Sequence, residues 1–332
     1  MENTFVIRRR NARPQPFRPV DLFDERPPTD ARYFARVLHL LNQKLGPRSL
    51  RFLLTWELDA DADEHSDAIV LLVGDERYQV PGHLPKAKLV FKTGGTTPNP
   101  IRRTLALPPS IGARVIVRDA RNAAVRLRRR CAGVAPLNAL RDRVFGMPLG
   151  YAQLLDVPWV DWPARRTDVF FAGTVPAGKS RFQLRPSVAA RRQMGEAVAE
   201  LTRRRPDLLV ACGAGNDAPY GPEEYSTRMM NARIALCPRG NFDETFRLFE
   251  SAKSGCVIVT EPLPDRWYYK GLPAVTLRQW SQLPRVVDEL LRDNAALERA
   301  AVATRAWWES HADENAVADF MLERIEASLR TP

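Results

Sequence analysis

Cysteine and histidine are scarce, four of each in 332 residues. Cys131, Cys212, Cys237 and Cys256 form no C-x-x-C pair and are too scattered for a disulfide framework, so they read as reduced thiols without zinc spacing. His39, His65, His83 and His311 lie far apart, and no metal motif is visible. No apolar run approaches the roughly 18 residues of a membrane span, and the opening MENTFVIRRR lacks the apolar core of an export signal. A cytoplasmic protein is expected, at most associated with a membrane surface. Internal repeats are also missing. With 45% hydrophobic and 27% charged residues the chain is not disordered, and its length suggests two domains of about 150 residues.

What the first half lacks is negative charge. Residues 1–165 carry 27 basic against 17 acidic side chains, whereas residues 166–332 carry 23 against 22, so almost all of the net +11 lies in the first half. An anionic partner is implied. Residues 1–30, rich in Arg and Pro, read as an arm that resists regular structure and packs across a surface. A helix is expected over 31–45, with Phe34, Val37, Leu38, Leu41 and Leu45 on one face. The short apolar runs 50–56, 68–74 and 88–93 suit strands of a parallel sheet. Residues 113–130 fit either a strand and a helix or one long helix, ending in an exposed Arg cluster. An acceptor-side domain is assigned to 31–150, and the Pro-containing stretch 151–166 reads as a linker.

From 167 the pattern alternates regularly: strand 167–173, helix 187–204, strand 207–213, helix 222–231, strand 233–238, helix 244–253, strand 255–261 and a long helix 283–309. That is the rhythm of a doubly wound α/β domain, 167–310. Residues 311–332 form a final helix placed to cross back to the first domain.

The densest chemistry lies in 225–261. A strand ending at Cys237-Pro238 runs into a loop and then a helix, the place where parallel-sheet domains present helix N–H groups to phosphate. Arg239 in the loop and Arg247 one turn into the helix could both reach a diphosphate, and Glu250, at i+3 from Arg247, could accept from ribose hydroxyls. The plainer reading of Arg247 and Glu250 is a helix-surface ion pair worth about 0.3–0.5 kcal/mol.

This run, with Tyr225, Met229, Cys237-Pro238-Arg239-Gly240, Thr245, Arg247, Glu250 and Gly255-Cys256, resembles the C-terminal domain of exostosin-like GT-B glycosyltransferases. The motif match spans about 37 residues, 225–261, and departs from the family where Ala232 replaces the usual Ser. The resemblance implies an α/β GT-B fold, two Rossmann-like parallel-sheet domains facing a cleft. It implies that Arg239, Gly240, Thr245 and Arg247 hold the diphosphate of a nucleotide sugar, first among them a UDP-sugar, with Glu250 on the ribose. It further implies metal-independent, inverting transfer to a glycan or lipid-linked hydroxyl, with no cofactor and no nucleic-acid partner. Cys237 and Cys256 read as buried strand-end thiols.

Residues 173–180 also satisfy G-x-x-x-x-G-K-S, the P-loop signature. Pro186 opposes the helix a P-loop needs after Lys179; in a transferase, Gly173, Lys179 and Arg181 would instead meet the donor phosphates or the acceptor. The Asp-x-Asp overlaps in 58–65 are read as a solvated acidic loop rather than a metal site. Asp75 and Glu76, just beyond an apolar strand, are the candidates for the base that takes the acceptor proton, with His83 behind them. The competing readings are a P-loop NTPase and a non-catalytic polyanion or nucleic-acid binder using the basic first half.

Overall fold

The computed structural model describes residues 2–57, 67–74, 86–96, 104–131, 142–173, 185–213, 220–240 and 242–330. The chain divides into two compact units, one made of Met1–Pro98, Asp119–Ala152 and Ala312–Pro332, the other of Asn99–Arg118 and Gln153–His311. Each is an α/β body built on its own, largely parallel sheet.

In the first unit the strands are β1 (Thr4–Arg8), β2 (Gln15–Pro16), β3 (Arg51–Thr55), β4 (Ile69–Leu72), β5 (Leu89–Lys92) and β6 (Val144–Gly146). Their order is β2-β1-β3-β4-β5-β6, parallel throughout except for the edge strand β2. β4 and β5 are buried along their whole length, which is why their sequences run apolar without alternation. Helix α1 (Ala31–Leu45) buries Phe34, Val37, Leu38, Leu41 and Leu45, the face its spacing predicts. Gly46, at φ 62°, ends it.

One sequence expectation is corrected in this unit. The segment 1–30 is not only a surface arm, because β1 lies inside the sheet, pairing Val6 with Leu53 and stacking Phe5 on Phe52 at 5.2 Å. Four consecutive non-polar or β-branched residues, TFVI, outweigh the neighbouring Arg and Pro. The stretch after 144 begins with β6, which pairs Phe145 with Phe91. Residues 113–130, left open between two readings, lie in a single helix, α2 (Pro109–Cys131).

The second unit follows the expected alternation: β7 (Thr167–Ala172), α3 (Pro186–Arg204), β8 (Val210–Gly213), α4 (Pro222–Met230), β9 (Ala232–Cys237), α5 (Phe246–Lys253), β10 (Val257–Thr260) and β11 (Val275–Thr276). α6 (Leu283–Arg292) and α7 (Asn294–His311) come next, and α8 (Glu314–Arg330) belongs to the first unit. The long helix read over 283–309 is in fact broken at Asp293, which leaves helical geometry and whose carboxylate accepts the Ala296 N–H at 2.8 Å. An aspartate in that position caps a new helix.

Strand order in this sheet is β11-β10-β9-β7-β8. The chain winds from β7 to β8 on one side, then returns past β7 to β9 and continues to β10 and β11. The winding reverses between β7 and β9. Val169, Phe171, Ile234, Leu236, Val257 and Val259 project from one face into a core closed by Met194 and Trp280. Burial of each such side chain contributes about 1.5–3 kcal/mol, which fixes the strand ends in space.

Candidate functional site

All strands of the second sheet are parallel, so β7, β9 and β10 end along one edge. A doubly wound sheet opens a crevice where its winding reverses, because the connections on either side leave toward opposite faces. Here the edge of that crevice is formed by Gly173 after β7 and by Pro238-Arg239-Gly240 after β9. The residues named from sequence at 239–247, together with Gly173, therefore converge on the reversal point.

Arg247 lies in the first turn of α5. One Nη donates to the Ala172 carbonyl at the end of β7, and the guanidinium lies over the Phe171 ring, 4.4 Å from its centroid. Its Nε is buried without a hydrogen-bond partner. The approach is so close that a Cβ on Gly173 would stand 2.4 Å from the Nη, and Gly173 itself holds φ 149°. Gly240 has a similar constraint: its Cβ would stand 2.9 Å from the Glu244 carbonyl oxygen.

The helix start itself carries positive charge. α5 has no acidic residue in its first turn, and its N-cap Thr245 makes no side-chain cap bond. A cation there opposes the helix dipole. Arg191 on α3 adds a second positive charge: burial and the nearby Arg247 charge push its pKa down to about 10. An anion would relieve the Arg247 charge at the α5 N-terminus. Arg191 carried no motif in the sequence. It sits in an ordinary helical run, and only the packing of α3 brings it within reach of the Arg247 charge.

Arg239 departs from expectation. It is only 4% exposed, and its guanidinium pairs with Asp243. Its backbone N–H donates to Glu261 at 2.8 Å, and Glu261 also accepts from Trp280 at 2.7 Å. Burial raises the Glu261 pKa. Arg239, whose Nε, like that of Arg247, is buried without a hydrogen-bond partner, therefore shapes the loop through Asp243. Its i+4 aspartate, overlooked in the sequence, is the reason. Phe242 in the same loop lies beneath the guanidiniums of Arg118 and Arg266, at 5.2 and 5.3 Å.

Glu250 also departs from expectation. It is buried, one carboxylate oxygen accepts the Gln153 N–H at 2.9 Å, and the other accepts the Tyr225 hydroxyl at 2.5 Å. Neither the ribose role nor the surface ion pair describes that placement. Burial and the Glu250 charge raise the Tyr225 pKa well above its usual value. Tyr225 and Glu250, two members of the motif, thus form an internal brace behind Arg247.

Cys237 and Cys256 are buried, as read from the sequence, with pKa values pushed up by burial to about 12 and about 11. Lys179 and Arg181, and the rest of the P-loop-like stretch beyond Gly173, lie outside the described residues, as do Asp75, Glu76, His83 and the acidic loop 58–65. Pro186 is the first residue of α3. Among the described residues no group of three or more His, Cys, Asp or Glu could hold a metal ion, and no helix is long and apolar enough to cross a membrane.

No family profile matches the chain, and no curated protein matches it in sequence. Among solved structures it is similar to the pneumococcal O-GlcNAc transferase GtfA in complex with UDP and GlcNAc, at TM-score 0.47 and 11% identity, over 89% of this chain and 60% of that one. It is similar to a putative UDP-N-acetylglucosamine 2-epimerase from Listeria monocytogenes, at 0.46 and 12%, over 99% and 97%. AviGT4, a glycosyltransferase involved in avilamycin A biosynthesis, gives 0.42 and 14%, over 92% and 91%. The chain spans 60% of the length of GtfA and of the matched chain of the GtfA/B complex. At these scores the likeness bears on neither activity nor substrate.

Proposed function

We propose that the protein is a glycosyltransferase of exostosin-like GT-B type, moving a sugar from a nucleotide diphosphate donor to a hydroxyl. The observation that carries this reading is Arg247. Its guanidinium is tied to the end of β7, carries a buried unbonded Nε and lies at the N-terminus of α5, beside the point where the sheet reverses. Positive charge from Arg191 and the α5 dipole reinforces it. Such a site favours a diphosphate, and the motif around it resembles a sugar-nucleotide domain.

In the reaction, the acceptor oxygen bonds to the anomeric carbon as the bond from that carbon to the β-phosphate oxygen breaks. The acceptor proton passes to a base, for which Asp75 and Glu76 after β4 are the candidates. The nucleoside diphosphate leaves with added negative charge, which Arg247, Arg191 and the α5 N–H groups stabilise in place of a metal ion. Arg239 and Glu250 act indirectly, the first by holding the loop through Asp243, the second by bracing Tyr225. Gly173 leaves room for Arg247, and Thr245 presents its hydroxyl at the helix start. UDP-sugar is the first donor to try, as the resemblance of the 225–261 motif implies. The acceptor is a glycan or lipid-linked hydroxyl, and the excess positive charge of the first half favours an anionic one.

The test is thermal unfolding with UDP-, GDP-, dTDP- and CMP-sugars and with ATP, each without and with magnesium, because a ligand that binds only the native state raises its stability. The expected result is a metal-independent shift with one nucleoside diphosphate sugar that Arg247→Ala removes. A shift with ATP alone, or a sugar-nucleotide shift that Arg247→Ala retains, overturns the reading. D75N and E76Q should keep the shift, and one of them should lose transfer.

A further inference from the structure

Helix α2 is amphipathic in an unusual sense, because both of its faces carry apolar residues. Ile111 and Val115 pack with Leu107, Ala189 and Ala190, and Asn122 is buried on the same side. Opposite them, Ala113, Ile116, Val117, Ala120, Ala124 and Leu127 are exposed. At 100° per residue these six fall within an arc of about 100°, centred across the helix from Ile111, Val115 and Asn122. The stripe runs about 21 Å along the axis. Isolated surface leucines need no explanation, but this is a concentration. Of nine large hydrophobic side chains exposed among the described residues, Ile116, Val117 and Leu127 make three, Leu127 at 62% exposure.

The charge beside the stripe selects what covers it. The helix holds seven arginines and one aspartate. Arg121 and Arg128 are exposed along one margin and Arg130 along the other. No acidic residue falls within the stripe. A second copy of this chain would bring seven more arginines against the first seven, and the chain already carries +11. An apolar strip edged by arginines instead matches a lipid surface, with acyl chains below and anionic headgroups beside them.

We infer that α2 is an in-plane membrane-docking helix. Ile116, Val117 and Leu127 enter the acyl boundary of an anionic leaflet, and Arg121, Arg128 and Arg130 pair with headgroup phosphates. This goes beyond the sugar-transfer reading and does not depend on it, since docking requires no donor.

The test is co-sedimentation of the full chain with phosphatidylcholine vesicles, alone or containing about 30 mol% phosphatidylglycerol. A fluorophore on Cys131, an exposed cysteine at the end of the same arc, gives a second readout. Binding is expected only to the anionic vesicles, with a blue-shifted label and weakening as salt rises. I116E/L127E should lower it at least about tenfold, as should R121Q/R128Q/R130Q, both with unchanged far-UV circular dichroism and melting temperature. Equal binding to neutral vesicles overturns the proposal, as does anionic binding that survives I116E/L127E. Binding to an oligonucleotide that the glutamates leave intact while vesicle binding is absent assigns the helix to a polyanion and likewise overturns it.

Discussion

The second sheet has a buried or half-buried arginine at each end of its central strands, and the two live under opposite conditions. Arg165, 1% exposed, lies where β9 and β10 begin and donates to the carbonyls of Ala232, Ser254 and Gly255 at 2.7 to 2.9 Å, while Trp159 and Trp162 lie against its guanidinium. Its hydrogen-bonding capacity is spent on the backbone. Arg247 lies where β7 and β9 end, bonds one carbonyl, keeps a buried Nε without a partner and has a second guanidinium near it. Cation and sheet are the same, although Arg165 is buried and Arg247 half-buried. The difference lies in satisfaction: the first arginine closes the fold, and the second leaves capacity for an anion.

Substitution should separate the two. Arg165→Met strands three buried carbonyls and should cost about 3–5 kcal/mol in denaturant unfolding, with donor affinity per folded molecule unchanged. If it unfolds easily but also abolishes the sugar-nucleotide shift at low temperature, the two ends are not independent. Arg247→Ala should show the reverse, losing about 2–3 kcal/mol of donor binding, on the order of 100-fold in Kd, with little loss of stability. Isothermal titration calorimetry reads this directly. Gly173→Ala should cost about tenfold in donor affinity, since its Cβ would displace the Arg247 Nη, and the G173A/R247A double variant should be no worse than R247A alone. Additive losses would show that Gly173 acts through something other than that guanidinium.

The smallest effect concerns pH. Tyr33 in the first unit donates to the Ala312 carbonyl at 2.7 Å, Tyr225 in the second donates to Glu250, and burial raises both phenol pKa values. A phenol whose folded pKa exceeds its unfolded value near 10 keeps its proton longer when folded. Its stabilisation is complete below about pH 10 and is lost as pH rises beyond it. Denaturant midpoints from pH 8 to 11 should fall at the alkaline end. Tyr33→Phe and Tyr225→Phe should each flatten that fall and cost about 1 kcal/mol at neutral pH.

How much was legible in the sequence differs between the units. In the second, strand and helix periods alternate cleanly, and the motif from Tyr225 to Cys256 marks the strand end that the topology places at the reversal. In the first, β1 was hidden because five residues of strand sit between a terminus and an Arg/Pro stretch, and strand pairing is decided by a partner 47 residues away. Arg239 and Glu250 show the limit within the motif itself: spacing says which residues share a helix face or a loop, and not whether a charged group is already occupied. Asp243, Glu261, Gln153 and Tyr225 occupy them.

Sequence alone determined the alternation of elements, the apolar faces that bury and the location of the loop between β9 and α5, because these depend on periodicity and on residue types close along the chain. Tertiary structure alone decided which arginine is satisfied and which is left wanting, that the Arg247 charge is felt at Arg191, and that α2 turns an apolar stripe outward. Those outcomes depend on burial and on partners brought together from distant segments, and no local pattern encodes them.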